Sequence, residues 1–140
     1  MTKKLWMLFL LITVVAAGFF LKLNVGKKLT GDDLIIDSEV DLGQVNKDSK
    51  RVFKISLINP TPSNFTIARV YTSCGCTKVT LPENGTSQFT LKAGEVTYLS
   101  LEFDPSTMHQ RGDEINHEAY ILTTKPFEKE YKVKITGKII

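Results

Sequence analysis

The sequence predicts an all-β fold, an antiparallel β-sandwich of about seven to nine short strands that follows one N-terminal hydrophobic helix. Three observations carry this prediction. From residue 34 onward, no useful length of chain has the hydrophobic period of a helix. Short runs rich in β-branched and aromatic residues recur instead, and apolar and polar side chains alternate along them. Turn residues separate these runs at short intervals, which is typical of a sandwich.

The pattern of basic and apolar residues in 1–22 predicts a signal anchor or a signal peptide. Two lysines precede residues 5–21, a stretch of 17 residues without a charge. As a helix this stretch spans about 26 Å, slightly less than a hydrocarbon core of about 30 Å. The apolar run continues through 19–21 beyond the small residues at which a cleavage site would normally end it. This favours an uncleaved anchor in the membrane, with residues 23–33 as a polar tether.

The charge distribution excludes a nucleic-acid-binding domain. The formal net charge is +3, but five of the 18 basic residues and none of the 15 acidic residues precede residue 30. The rest of the chain is therefore slightly acidic and lacks a clustered basic face, so no nucleic acid is expected as a partner. The signal-like layout of the N-terminus predicts that residues 34–140 face the periplasm or the cell exterior.

The sequence pattern of residues 34–140 predicts one domain in which strands alternate with turns. The predicted strands are Leu34–Ile36, Val40–Val45, Val52–Ile58, Phe65–Tyr71, Thr77–Thr80, Val96–Phe103, Ile115–Thr123 and Tyr131–Ile135. Turns are predicted at Asn59–Asn64, Pro82–Gly85, Ala93–Gly94 and Asp104–Pro105, around Gly112 and at Pro126. A domain of this size buries enough of its unfolded surface to fold alone.

Both cysteines of the chain lie in the run Ser73-Cys74-Gly75-Cys76-Thr77. Gly75 would allow a tight turn that brings the two Cα atoms to the roughly 4.4–6.8 Å that a disulfide needs. A disulfide across so short a loop contributes only about 1.6 kcal/mol of chain entropy. Three states stay open: a reducible disulfide that exchanges with partner thiols, a thiolate pair that holds Cu(I) or Zn, and small buried side chains without chemistry.

A metal site would need further ligands, and Met108, His109 and His117 surround the glycine loop that follows the Val96–Phe103 strand. Methionine and histidine suit copper, but their spacing matches no recognised ligand pattern, so the sequence predicts no cofactor. The chain also lacks a C-x-x-C motif, a phosphate loop and a nucleophile–base set. We therefore predict no catalytic residues and no enzymatic activity, and we interpret Asp104 as a side chain that caps a turn.

Several motifs together resemble a known bacterial family. An alternating strand ends at Asn59, the run Ser73–Thr77 follows, a later strand closes with Phe103-Asp104-Pro105, and the last strand ends near Gly137. This order resembles a bacterial domain-of-unknown-function family, number fifteen seventy-three, whose members carry an SCGCT-type signature and an FDP-type strand end. The family is similar to the immunoglobulin-like ASH/MSP/Hydin domains. The resemblance covers residues 34–140 and implies an exported immunoglobulin-like domain, without implying a known activity.

The sequence therefore predicts a membrane-tethered, extracytoplasmic binding or structural module that uses another envelope protein as its partner. The sandwich pattern without a convergent acid–base set supports this function. The alternative is thiol redox chemistry or soft-metal (Cu/Zn) handling through Cys74-Gly75-Cys76, which the cysteine pair supports.

Overall fold

The computed structural model describes residues 30–82, 88–107 and 109–140, without the side chain of Thr107. The predicted N-terminal helix, the membrane contact through residues 5–21 and Met108 lie outside the described residues. Within the described ranges, no helix has the length and apolar character that crossing a membrane requires.

The described residues form two stacked sheets, which confirms the all-β prediction. The strands are β1 (Ile35–Ile36), β2 (Glu39–Val45), β3 (Arg51–Ile58), β4 (Phe65–Thr72), β5 (Thr77–Thr80), β6 (Phe89–Leu91), β7 (Val96–Phe103), β8 (Glu114–Lys125) and β9 (Lys129–Ile139). A 3-10 turn, Pro105–Thr107, follows β7. One sheet has the order β1-β3-β7-β5 and the other the order β2-β9-β8-β4-β6.

The core lies between the sheets and follows from the alternation along each strand. In β3 the apolar residues at alternate positions turn inward, and β7 pairs with it so that Ile55 lies opposite Leu99. Ile121 and Ile135 enter the same core from the five-stranded sheet. Each of these four side chains is fully buried, which contributes about 1.5–3 kcal/mol per residue relative to exposure.

The wholly antiparallel pairing that we predicted is wrong at one place. Strand β2 pairs with β9 in parallel, with Val40 opposite Ile135, and the register shifts between Asp41 and Gln44. Gly43 has a φ of 64° at this irregularity, a left-handed conformation that glycine adopts without strain. The alternation along a strand fixes which side chains face inward, but it does not reveal which distant strand lies alongside.

Two connections between the sheets meet at one end of the sandwich. The chain passes from β4 to β5 through residues 73–76, and it returns from β7 to β8 through residues 104–113. The Ser73 N–H donates to the Glu118 carbonyl at 2.8 Å, and the Asp104 N–H donates to the Cys76 carbonyl at 2.8 Å. These bonds hold the cysteine turn against both sheets, beside the segment that follows β7.

Candidate functional site: the cysteine–histidine corner

The two cysteines form a disulfide within a tight turn. Their Cα atoms lie 5.2 Å apart, inside the predicted range. The Cys76 N–H points to Cys74 Sγ at 3.1 Å, and the Thr77 N–H donates to the Cys74 carbonyl at 3.2 Å. Gly75 does not have a positive φ, and a Cβ placed on it would meet nothing within 4 Å. The turn therefore accepts an L-residue at position 75, so glycine is not required there.

Both sulfurs belong to the hydrophobic core. Cys74 is 5% exposed and Cys76 is 3% exposed, and both pack with the buried cluster between the sheets. A thiol of another protein needs direct access to a sulfur to exchange with it. Burial of both sulfurs therefore disfavours thiol exchange with a large partner.

Two histidines reach the cysteine turn from separate elements. His117 lies in β8 at an alternate position to Ile115 and Ala119, which are buried, so the strand directs it inward. His109 follows the 3-10 turn, where its N–H donates to the Pro105 carbonyl at 3.1 Å. The Nε2 atoms of the two histidines lie 3.1 Å apart.

We call Cys74, Cys76, His109 and His117 the cysteine–histidine corner. One ligand atom from each residue lies within 4.8 Å of the other three. His109 Nε2 is 3.8 Å from Cys76 Sγ. The Phe103 ring packs beside both imidazoles, with centroid separations of 5.4 Å to His109 and 6.1 Å to His117. Two sulfur and two nitrogen donors therefore converge beside an apolar wall.

The environment of His117 suits a neutral imidazole. Burial, and then the nearby His109, lower the pKa of His117 below its usual value. The Nδ1 atom of His109 lies on the far side of its ring from the corner, 3.9 Å from the Asp113 carboxylate. Asp113 accepts the Gln110 N–H at 2.7 Å, which fixes the carboxylate behind the imidazole.

The structure thus brings together four of the five candidate ligands, and the fifth, Met108, lies outside the described residues. The sequence interpretation missed Phe103 and Asp113 as neighbours of the histidines. The position of Asp113, four residues after His109, was the sign in the sequence that the two side chains could lie close together. The interpretation of Asp104 is confirmed, because its carboxylate accepts the Ser106 N–H at 3.1 Å and the Ser106 hydroxyl at 2.6 Å. These two hydrogen bonds lower the pKa of Asp104.

A second surface feature lies at the opposite edge of the four-stranded sheet. Strand β1 pairs only with Ile58 and Leu57 of β3, and the Ser56 N–H donates to the Asp37 carboxylate at 2.7 Å. In the described part of the chain, residues 51–55 therefore have a neighbouring strand on the β7 side alone. Val52 is 59% exposed on the outer face of this open edge. Tyr98 of β7 is also exposed on this face. The edge therefore combines an unpaired stretch of strand with exposed apolar side chains.

The fold is shared with several solved structures. A protein of unknown function from Porphyromonas gingivalis W83 is similar with a TM-score of 0.62 and 17% identity, over 75% of this chain and 46% of that one. The periplasmic chaperone SfaE gives a TM-score of 0.58 and 7% identity, over 77% of this chain and 60% of that one. The chain spans about half the length of these two proteins.

A third similar structure is an ASH/PapD-like domain of human CEP192, with a TM-score of 0.53 and 12% identity, over 76% of this chain and 84% of that domain. At these identities the likeness shows the fold, and it confirms the expected similarity to ASH-type domains. No curated protein matches the sequence. A family model described as "Protein of unknown function (DUF1573)" matches residues 35–139, so the chain belongs to this family, in agreement with the resemblance of its motifs.

Proposed function

We propose that this chain is a membrane-tethered, extracytoplasmic module that binds an extended segment of another envelope protein along the open edge of β3. The likeness to a periplasmic chaperone and to ASH-type domains supports a binding or structural role for a sandwich of this class. The apolar stretch of residues 5–21, with basic residues on both sides, supports the tether.

The unpaired stretch of β3 is the observation that carries this proposal. An edge strand exposes backbone donors and acceptors to which a further strand can pair. On the outer face, Val52 offers an apolar contact and Lys54, two positions further along β3, is an exposed cation. Arg51, a second exposed cation, lies next to Val52 at the start of the strand. The segment that fits this edge is an extended one in which apolar and acidic side chains accompany the backbone pairing.

Site-specific photo-cross-linking tests the docking edge. A photoreactive residue at Val52, in the full chain in its native membrane, is expected to give one discrete adduct. The matched control replaces Gln44, an exposed residue of β2 at the edge of the other sheet. The charge reversals Arg51→Glu and Lys54→Glu should reduce the Val52 adduct. No adduct at Val52, or equal adducts at both positions, would contradict docking at this edge.

Protease accessibility tests the location. The chain is expected to sediment with membranes, to resist extraction with carbonate, and to lose its domain when protease is added outside the cytoplasmic membrane. A freely soluble product in the cytosol with both thiols reduced would contradict the tether and the extracytoplasmic location together.

Soft-metal handling is a second candidate function, and the convergence of four donors in the cysteine–histidine corner favours it. This site lies beside β5, at the opposite edge of the sheet from the docking stretch of β3. The two functions are therefore separable by mutation.

A further inference from the structure

We propose that Cys74 and Cys76, when reduced, bind one d10 metal ion, Zn²⁺ or Cu⁺, together with His109 and His117, and that the Cys74–Cys76 disulfide excludes this ion. The inference rests on the soft-metal function proposed for the cysteine–histidine corner, and it does not depend on docking at the edge of β3.

The donor set selects the class of ion. Two thiolates and two imidazoles suit Zn²⁺ and, because thiolates are soft ligands, Cu⁺. Mg²⁺ and Ca²⁺ prefer a shell of oxygen atoms. The Asp113 carboxylate, 3.9 Å from His109 Nδ1, lies on the far side of that ring and is not among the four donors. The corner therefore has the chemistry of a site for a soft or borderline ion.

The distances between donors are close to those of a tetrahedral site. With metal–nitrogen bonds of about 2.05 Å and metal–sulfur bonds of about 2.3 Å, two nitrogens stand about 3.4 Å apart and a nitrogen and a sulfur about 3.6 Å apart. The corresponding distances here are 3.1 Å between the His109 and His117 Nε2 atoms and 3.8 Å between His109 Nε2 and Cys76 Sγ. Shifts of a few tenths of an ångström would complete this side of the site.

The orientation of His109 is that of a metal ligand. A ligating histidine usually turns one ring nitrogen to the metal and the other to a carboxylate or carbonyl group. His109 turns Nε2 to Cys76 and His117, and Nδ1 to Asp113. The backbone bond from His109 to the Pro105 carbonyl fixes the start of this segment. The fold thus orients Nε2 of His109 toward the sulfurs without a bound ion.

The two sulfurs cannot form the disulfide and bind the ion at the same time. A disulfide holds them about 2 Å apart, whereas two thiolates on one tetrahedral ion stand about 3.8 Å apart. Loading therefore needs a reductant, such as a small external dithiol that reaches the sulfurs when the corner opens. Two electrons and two protons pass from the dithiol to the disulfide, which gives two thiols and leaves the dithiol as its own disulfide. Binding of the ion then releases the two thiol protons. After removal of the ion, a small external disulfide accepts two electrons and two protons from the thiols, which restores the Cys74–Cys76 bond and leaves that disulfide as two thiols.

The burial of the site favours a small ion over a larger ligand. Both cysteines are buried, Phe103 shields the histidine rings, and the His109 side chain is 10% exposed. A hydrated ion can lose its water at the half-buried histidines and reach the sulfurs behind them. An organic thiol or a disulfide-containing protein would have to open the corner first.

Metal binding by one polypeptide in two redox states tests the proposal. The full chain in detergent is reduced with a phosphine, freed of excess reagent without oxygen, and titrated with Zn²⁺ or Cu⁺ against a chromophoric chelator. Native mass spectrometry should show one ion per reduced chain and none per oxidised chain. Co²⁺ should give the intense visible absorption of a tetrahedral thiolate site. Circular dichroism of both states confirms that the sheets persist without the disulfide.

Variants then assign the ligands. His109→Gln and His117→Gln should each weaken binding at least about 100-fold, because loss of even an outer-shell partner costs about 10–100-fold. Asp113→Asn should weaken it about 10–100-fold. Glu114→Gln is the control, since Glu114 is an exposed carboxylate at the start of β8 and should keep wild-type affinity. The Val52 variant should also bind the ion normally, which separates this test from that of the docking edge.

The proposal fails if the reduced chain binds neither ion. It also fails if the oxidised chain binds as well as the reduced one, or if the double variant His109→Gln/His117→Gln keeps wild-type affinity. In the last case two thiolates alone would account for binding, and the four-residue site would be wrong.

Discussion

Asn59 is fully buried at the end of β3, and its side chain organises the loop that follows. Its Nδ2 group donates to the carbonyls of Ser63 at 2.8 Å, Lys92 at 2.9 Å and Leu91 at 3.2 Å. Its Oδ1 atom accepts the Thr61 N–H at 3.1 Å and the Thr61 hydroxyl at 2.8 Å. A single carboxamide therefore ties this loop to the β6–β7 turn, using both its donor and its acceptor.

Replacing Asn59 by Asp tests this role without changing the shape of the side chain. The substitution removes the donors and directs a carboxylate at three carbonyl oxygens in the core. We expect the free energy of unfolding to fall by about 2–4 kcal/mol in urea denaturation, since a buried, unsatisfied polar group is costly and a charged one more so. Asn46→Asp is the control, because exposed Asn46 uses only Oδ1, which accepts the Asp48 N–H at 2.9 Å. An equal loss in both variants would contradict the role of Asn59.

Two glycines, Gly137 and Gly75, differ in whether the fold tolerates a side chain at their position. A Cβ on Gly137 would lie 2.9 Å from the Gly43 carbonyl oxygen, where the β2–β9 pairing fixes the backbone. Gly137→Ala should therefore lower the free energy of unfolding by about 1–3 kcal/mol. A Cβ on Gly75 would meet open space, so Gly75→Ala should leave the free energy of unfolding unchanged or raise it by up to about 1 kcal/mol. Thermal unfolding of both variants checks this order, and a larger loss for Gly75→Ala would overturn it.

At the scale of elements, the alternation in the sequence predicts strands well where it runs over many residues. Strands β3 and β7 follow the predicted bounds closely because each places three apolar residues inward in succession. Strand β6 was not predicted, because three residues are too few to show a period. Its place beside β4 comes from tertiary pairing with Phe65, Thr66 and Ile67, which no local pattern reveals.

The same reasoning explains how far the sequence could predict the corner. The cysteine pair is visible because its members are neighbours in the chain. His117 lies within a correctly predicted strand, and its alternation with Ile115 and Ala119 was a usable sign that it points inward. The approach of His109 could not be predicted, because it depends on two connections that cross between the sheets at the same end.

At the scale of the whole molecule, the sandwich separates its two candidate working surfaces. The docking stretch of β3 and the cysteine–histidine corner lie toward opposite edges of the four-stranded sheet, with β7 between β3 and β5. The chain enters the domain beside β9, where Asp33 contacts Lys129 and Tyr131 and also accepts the Leu34 N–H at 2.8 Å. We call these contacts of Asp33 the latch. They join the first and last described parts of the chain, so they contribute to the stability of the domain as a unit.

The latch predicts how global stability depends on pH. Burial alone would raise the pKa of Asp33, but hydrogen bonds from Lys129, Tyr131 and the Leu34 N–H outweigh it and lower the pKa. The folded state thus binds a proton less readily than the unfolded state. The stabilisation is complete above the unfolded-state pKa, about 3.9, and is lost as the pH falls through the lower folded-state value.

Asp33→Asn should therefore lower the urea midpoint at pH 7, and its deficit relative to wild type should shrink as the pH falls below about 4. The pKa of Glu118 is also lowered, by hydrogen bonds from Tyr120 and Lys132, so both proteins should still lose some stability in acid. Asp32→Asn, at the exposed neighbouring carboxylate, is the control and should give a profile parallel to wild type. A difference in urea midpoint between Asp33→Asn and wild type that stays constant from pH 7 to pH 3 would contradict this prediction. The charge of Asp33 would then not contribute to the stability of these contacts.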